Sequence, residues 1–329
     1  MINPKAYLTE KLFQDDIEKV PTRNGYGEGL VQAGEENTQV VVLCADLTES
    51  TRSEAFQKKF PERFIEVGVA EQNMASLAAG MALAGKIPFI SSYATFSPGR
   101  NNEQIRTTIA INNVNVKIAG AHAGVSVGPD GATHQALEDI ALMRVMPRMN
   151  VIYPCDALEA KKATLAAARM KGPVYLRFAR AGTPQFTTEK TPFQIGKAEV
   201  FHEGKDVTIV ACGPLVYEAL LAAQQLEGEG ISVEVINNHT IKPLDQNTIL
   251  ESVQKTKALV TVEEHQIAGG MGSAVVEMLA QRFPVPVEMV GIKDRFGESG
   301  EPSELWDAFE LSCPHIMQAV QKVIKRKIA

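Results

Sequence analysis

The 329-residue chain is 45% hydrophobic with a formal net charge of −6, enough for about two domains with full cores. Its acids and bases are interspersed, without a basic stripe to neutralise a row of phosphates, so nucleic acid is not an expected partner. Cys44, Cys155, Cys212 and Cys313 lie far apart with no paired spacing, as reduced buried thiols do, and point to a reducing, cytoplasmic setting.

Residues 1–20 carry charges where an export signal needs an apolar core, and read as a self-contained lead-in with a short helix before Pro21. The longest apolar run, 74–90, is broken by Gly80, Gly85, Lys86 and Pro88 and is too short and interrupted to span a membrane. Short β-branched runs alternate with longer helical stretches, the pattern of parallel sheets covered by helices. Strands are expected at 40–45, 63–68, 87–92, 114–120, 149–154 and 173–178. Helices are expected near 22–36, 70–85, 97–112, 135–144 and 156–170, the last capped by Asp156.

After Arg180 the pattern lapses into a polar stretch punctuated by Pro184 and Pro192, read as a linker over 184–196. A second α/β series follows. Strands are expected at 206–212, 232–237, 258–264 and 286–291, with helices after Gly213, Asp245 and Gly270 and near 312–326. The expected architecture is two doubly wound α/β domains, 1–183 and 197–329, each a mainly parallel sheet with helices on both faces. The string GGMGSAV (269–275) lacks the third glycine and following acid of a dinucleotide fingerprint, and reads as a turn feeding a helix.

Chemistry-bearing residues concentrate at the ends of the first set of strands, where open α/β sheets bind ligands. The segments are PTRNGYGE (21–28), ADLTES (45–50), GVAEQN (68–73), SYATF (92–96), AHAGVSVGPDGATHQALED (121–139) and LRFAR (176–180). Glu71 opens a helix of small residues and is either a charge complementing the helix dipole or a proton-handling group. His122 and His134 flank Asp130 in a glycine-loosened loop suited to a polar ligand. A metal site is the rival reading, without a third ligand to complete the set. With the anion-binding types Arg23, Arg177 and Arg180, and Ser50 in a strand-to-helix loop, they describe a pocket for a polyhydroxylated, phosphorylated small molecule.

The order ADLTES, RFIEVGVAEQNM, IPFISSYATF, HAGVSVGPDGATHQALEDIALMR, LRFAR closely resembles the C-terminal half of transketolase, its pyrimidine-binding and third domains, over nearly the whole chain. The resemblance implies thiamine diphosphate as cofactor. It casts Glu71 as the partner of the aminopyrimidine N1′ nitrogen, in a dry apolar setting that favours sharing the proton. Tyr93 and Phe96 match the aromatics that pack the pyrimidine; Asp46 and Leu47 lie in the loop that approaches the cofactor. Arg23, Ser50 and Arg180 match the sugar-phosphate positions, with Arg177 either a fourth or a structural ion pair. His122, Asp130 and His134 match residues that contact substrate hydroxyls and assist proton movements. Ala132 replaces a common proline in the DG-x-TH pattern.

The GDG motif through which the family holds the diphosphate and its metal, Mg2+ or Ca2+, occurs nowhere in the sequence. The resemblance therefore implies the C-terminal subunit of a split transketolase, with no metal ligand in this chain. An N-terminal subunit would supply the diphosphate domain in an α2β2 heterotetramer, with sugar phosphates as substrates. Ala75, Ala78, Ala79 and Ala82 are expected to give one helix a face smooth enough for close packing between subunits. Three alternatives are a β subunit of a thiamine-dependent 2-oxo acid dehydrogenase, a deoxyxylulose-phosphate synthase-like subunit, and a non-catalytic assembly partner.

Overall fold

The computed structural model describes residues 1–328. In chain order the strands are β1 (Lys19–Pro21), β2 (Val40–Cys44), β3 (Phe64–Glu66), β4 (Ile87–Tyr93), β5 (Lys117–Ala121), β6 (Asn150–Ile152), β7 (Val174–Arg177), β8 (Gly182–Pro184), β9 (Glu199–His202), β10 (Val207–Ala211), β11 (Val233–Asn237), β12 (Thr240–Lys242), β13 (Leu259–Gln266) and β14 (Val287–Ile292). The first large sheet runs β12-β6-β7-β5-β4-β2-β3 and the second β14-β13-β10-β11-β9. Every pairing in them is parallel except those of β12 and β9 at the edges. The expected α/β class follows from this: strands such as 40–44 and 207–211 are buried on both faces and read as continuous Val/Ile/Leu runs.

Helices α1 (Thr22–Glu36), α3 (Glu71–Leu83) and α6 (Ala157–Arg169) cover the first sheet, together with the shorter α2 (Glu54–Lys59) and α5 (Asp139–Arg144). Asp156 caps α6 by accepting the Glu159 N–H at 2.9 Å. The segment expected as one helix over 97–112 instead forms a single turn, α4 (Asn102–Gln104), passing into a π-helix (Ile105–Ala110). Thr107 and Thr108 hydroxyls bond back to the Glu103 and Gln104 carbonyls, and Asn112 to those of Thr107 and Thr108, competing with regular α-turns.

The expected N-terminal helix is absent among the described residues. Asn3 caps a 3-10 turn at Pro4–Ala6, Tyr7 takes a left-handed φ of 50°, and the chain runs on to β1. A short helix cannot meet its nucleation cost alone. The arm instead buries Ala6, Leu12 and Ile17 in the core of the second half. The stretch read as a linker is likewise packed: Pro184 ends β8 against β1, and the buried Asp156 carboxylate accepts the N–H groups of Phe186 and Thr187. β12, which the sequence did not reveal, crosses from the second half to complete the first sheet.

One further expectation changes, and one left open is decided. Ala75, Ala78 and Ala79 of α3 are buried in the chain's own core, so the smooth face packs against the sheet; the outward face carries Leu77, Gly80 and Leu83. Arg177 is a structural ion pair. Fully buried, it meets Asp139 through Nε at 2.8 Å and Nη2 at 3.2 Å, while the Tyr175 hydroxyl donates to the same carboxylate at 2.6 Å. Burial alone would raise the Asp139 pKa, but the Arg177 charge outweighs it and holds the carboxyl below its ordinary value. Asp139→Ala should therefore cost about 3–5 kcal/mol, because an uncompensated buried guanidinium remains. Urea unfolding reads this directly, and a loss below about 1 kcal/mol would mean that the cation reaches water.

The second half adds α7 (Leu215–Gly228), α8 (Gln246–Thr256), α9 (Met271–Arg282), α10 (Pro302–Ala308) and α11 (Cys313–Ile328). The glycine-rich string at 269–275 is a turn and helix start, as expected. Its helix N-terminus is filled by the chain itself: Glu263 accepts the N–H groups of Met271 and Gly272 at 2.6 and 2.8 Å, which leaves no room for a phosphate. No helix among the described residues is long and apolar enough to cross a membrane.

Candidate active site

Parallel register brings the carboxyl ends of β2, β3, β4, β5 and β7 to one edge. Cys44 lies beside Glu66 and Ser91, Tyr93 beside Ala121, and Gly120 beside Arg177. The loops that follow carry Asp46, Glu71, Phe96, His122 and Arg180, so residues remote in sequence converge because each sits just past its strand.

Glu71 opens α3 with its carboxylate only 3% exposed. It does not cap the helix. Both of its oxygens accept from Arg100 Nη1, at 3.2 and 3.3 Å, and its main-chain carbonyl accepts from Asn101 Nδ2 at 3.1 Å. The Ser92 hydroxyl lies 3.5 Å from Oε1. The setting is buried, but a half-exposed guanidinium meets the carboxylate where an apolar wall was expected.

Arg100 also lies over the Phe96 ring at 4.0 Å. Phe96 stacks with Tyr93 at a centroid distance of 5.8 Å, and Tyr93 with the His122 imidazole at 3.8 Å. His134 stands edge-on to both Tyr93 and Phe96, at 6.0 and 5.4 Å. A continuous aromatic platform therefore runs from the Glu71–Arg100 pair to His122.

At its far end Arg23 donates from Nη1 to the Ser50 carbonyl at 2.8 Å and approaches His122 Nε2 at 3.4 Å. Since a guanidinium can only donate, Nε2 is the acceptor and the imidazole proton sits on Nδ1. That Nδ1 and Arg23 Nε are buried and have no hydrogen-bond partner among the described residues. Ser50 contributes its carbonyl to this cluster. Arg180, a third exposed, lies 4.0 Å from Asp130 and donates to the Val127 carbonyl at 3.1 Å.

Burial, reinforced by Arg23, Arg180, His134 and Arg52, pushes the His122 imidazole down to about 2 from an ordinary value near 6.5. The ring is neutral at physiological pH. Because its folded pKa lies below the unfolded one, the unfolded chain takes up this proton first, and His122 subtracts stability as pH falls below about 6.5. The His122 ring signals in an NMR titration should stay flat between about pH 5 and 8. A midpoint near 6.5 would instead mark a hydrated ring.

Asp46 and Leu47 lie on the loop after β2. Asp46 has φ 58°, and its N–H donates to Glu66 at 2.7 Å; the same carboxylate receives Gly68 N–H and the Thr48 hydroxyl. Leu47 offers its carbonyl to Thr51. The sequence reading missed Glu66, Arg52 and Arg100, each a lone charged residue in a polar loop or at a strand end with no spacing to single it out. Among the described residues no group of three or more His, Cys, Asp or Glu side chains is placed to hold a metal ion.

Comparison with known proteins bears on both halves. The family model for the transketolase pyrimidine-binding domain matches residues 18–185, and that for the transketolase C-terminal domain matches 196–316. A protein of Methanocaldococcus jannaschii, provisionally described as a transketolase C-terminal section, is 44% identical over 93% of this chain and 96% of its own length. The 6-deoxy-6-sulfo-D-fructose transketolase subunit SqwH of Clostridium sp. is 39% identical over 96% of this chain and 98% of its own. Human transketolase is 38% identical over 94% of this chain, which spans only 50% of that protein. Among solved structures, a split-gene transketolase described as an inactive beta4 tetramer superposes with TM-score 0.88 at 46% identity, covering 94% of this chain and 99% of that one.

Proposed function

The chain belongs to the transketolase family as the C-terminal subunit of a split enzyme, and from that premise we propose that it transfers a two-carbon ketol unit from a ketose phosphate to an aldose phosphate once a separate N-terminal subunit completes its site. The observation that carries this reading is the platform running from the buried Glu71 carboxylate through Phe96, Tyr93 and His122 to Arg23. Thiamine diphosphate supplies the reactive carbon for such a transfer.

The residues fit that cofactor. A buried carboxylate stands beside flat aromatic rings, and two buried nitrogens, His122 Nδ1 and Arg23 Nε, await partners. Glu71 would hold a proton at a pyrimidine ring nitrogen, while Tyr93 and Phe96 exclude water along the ring face. Asp46 and Leu47 would close the cofactor side. Neutral His122 would donate from Nδ1 to a substrate hydroxyl, with Asp130 and His134 orienting the others. Arg23, Ser50 and Arg180 would receive the anionic end, to which a guanidinium fork is matched.

The diphosphate and its Mg2+ or Ca2+ would be bound mainly by the partner in an α2β2 assembly. We take residues 1–183 and 197–329 as the two domains of this subunit and the cytoplasm as its setting. The test is capture of the natural partner, followed by two-carbon transfer from xylulose 5-phosphate to ribose 5-phosphate. Because the same arginines would also accept a sulfonate, 6-deoxy-6-sulfofructose is the second donor to try. Transfer from neither donor would overturn the proposal.

A further inference from the structure

The loop 122–135 bears three of the residues read as sugar contacts, yet little regular structure holds it. His122 has φ 54°, and Gly124, Gly128 and Gly131 have φ of 91°, 82° and 73°. Three glycines in left-handed conformations make an ordered loop entropically costly. The order comes from the second half of the chain.

Two adjacent glutamates near the end of β13 point to opposite sides, as strand geometry requires. Glu263 turns to the helix start at Met271, while Glu264 reaches across to the loop. Glu264 is fully buried, and its two oxygens accept the Ser126 N–H and, at 3.0 Å, the Ser126 hydroxyl. The approach is close: a Cβ at Gly124 would lie 2.4 Å from the Glu264 carboxyl carbon.

A second contact closes the other end. Gln135 Nε2 donates to the Glu298 carbonyl at 2.9 Å and to the Val125 carbonyl at 3.0 Å, tying the loop to the segment before α10. A Cβ at Gly131 would meet Ser299 Oγ at 2.6 Å, and one at Gly297 would meet Gln135 Oε1 at 1.7 Å. Burying a carboxylate is costly unless its oxygens are satisfied. The buried Arg177 charge offsets part of that cost, the Trp306 indole N–H of α10 also faces the carboxylate, and both of its hydrogen bonds come from Ser126 of this loop.

We propose that Glu264, seconded by Gln135, is a positioning residue for the transfer reaction: the C-terminal domain clasps loop 122–135 and sets the geometry in which His122, Asp130 and His134 meet the sugar. The inference rests on the reading of those three as sugar contacts. It gives the C-terminal domain a part in substrate binding, exerted through Ser126.

The test compares Glu264→Ala with Glu264→Gln, which keeps an acceptor for the Ser126 N–H and can donate to its hydroxyl. In the full-length chain alone, Glu264→Ala should speed hydrogen exchange across residues 122–135 by about tenfold or more, with other segments near wild type. In the enzyme reconstituted with its partner, Glu264→Ala should raise KM for xylulose 5-phosphate by about ten- to a hundredfold. Its kcat should stay within about threefold, and Glu264→Gln should restore both constants to within about threefold.

A fall in kcat at unchanged KM, as loss of folded protein would give, overturns the proposal. So does unchanged exchange in the loop. Should Glu264→Ala not fold, Gln135→Ala must show the same KM-dominated split, and its absence overturns the clasp. A wild-type reconstituted enzyme without two-carbon transfer refutes the functional reading instead, while the exchange comparison still decides whether Glu264 holds the loop.

Discussion

Glu71→Ala in the reconstituted enzyme is expected to slow proton exchange at C2 of bound thiamine diphosphate by about 10²–10⁴-fold, the range that one positioned proton-handling group supplies. The carboxylate is 3% exposed and its oxygens accept from Arg100 and face the Ser92 hydroxyl, so helix capping does not account for its burial. What it meets in this chain is Arg100, half exposed and able to turn to water. Removing Glu71 therefore strands no buried cation, and the fold should lose no more than about 1 kcal/mol. Asp139→Ala, where Arg177 has no route to solvent, serves as the contrast. NMR of C2–H exchange reads the first effect and urea unfolding the second. A wild-type exchange rate would return Glu71 to the role of a helix-end charge.

The isolated chain should show negligible affinity for thiamine diphosphate and less than about a thousandth of the reconstituted turnover, because a group held at one end only gains little from orientation. Among the described residues no carboxylate or histidine cluster can hold a metal. The edge that bears the site stays open: Asp130 and Arg180 are each about a third exposed, and Val69, two residues before Glu71, is 68% exposed. Calorimetric titration with thiamine diphosphate and Mg2+, with and without the partner, provides the measurement. Substantial turnover by this chain alone would sink the idea of a divided site.

The reach of the sequence differed by kind of residue. Glu71, Tyr93 and His122 were legible because each stands at or just past the end of a strand of the first sheet, and parallel strands bring such positions to one edge whatever the loops do. Asp156 was legible as a cap because capping is local, satisfied three residues away. Arg100 was not: its two partners, Glu71 and Phe96, are set by the run of turns over 94–101 that follows β4, and no spacing announces those turns. The alanine face of α3 was seen but assigned to the wrong neighbour, since small residues suit close packing against a sheet as well as against another subunit.

By itself the sequence determined the α/β class, the alternation of strands and helices, and the set of chemical groups at the strand ends, because periodicity and capping act over a few residues. Only the tertiary structure decided that the N-terminal arm packs into the second core, that β12 completes the first sheet, that Arg177 is a buried ion pair, and that Glu264 holds the loop of His122. Each of these is a contact between segments separated by dozens to hundreds of residues. Its free energy depends on burial and on which donors and acceptors are left without water, and both are fixed only when the two halves pack together.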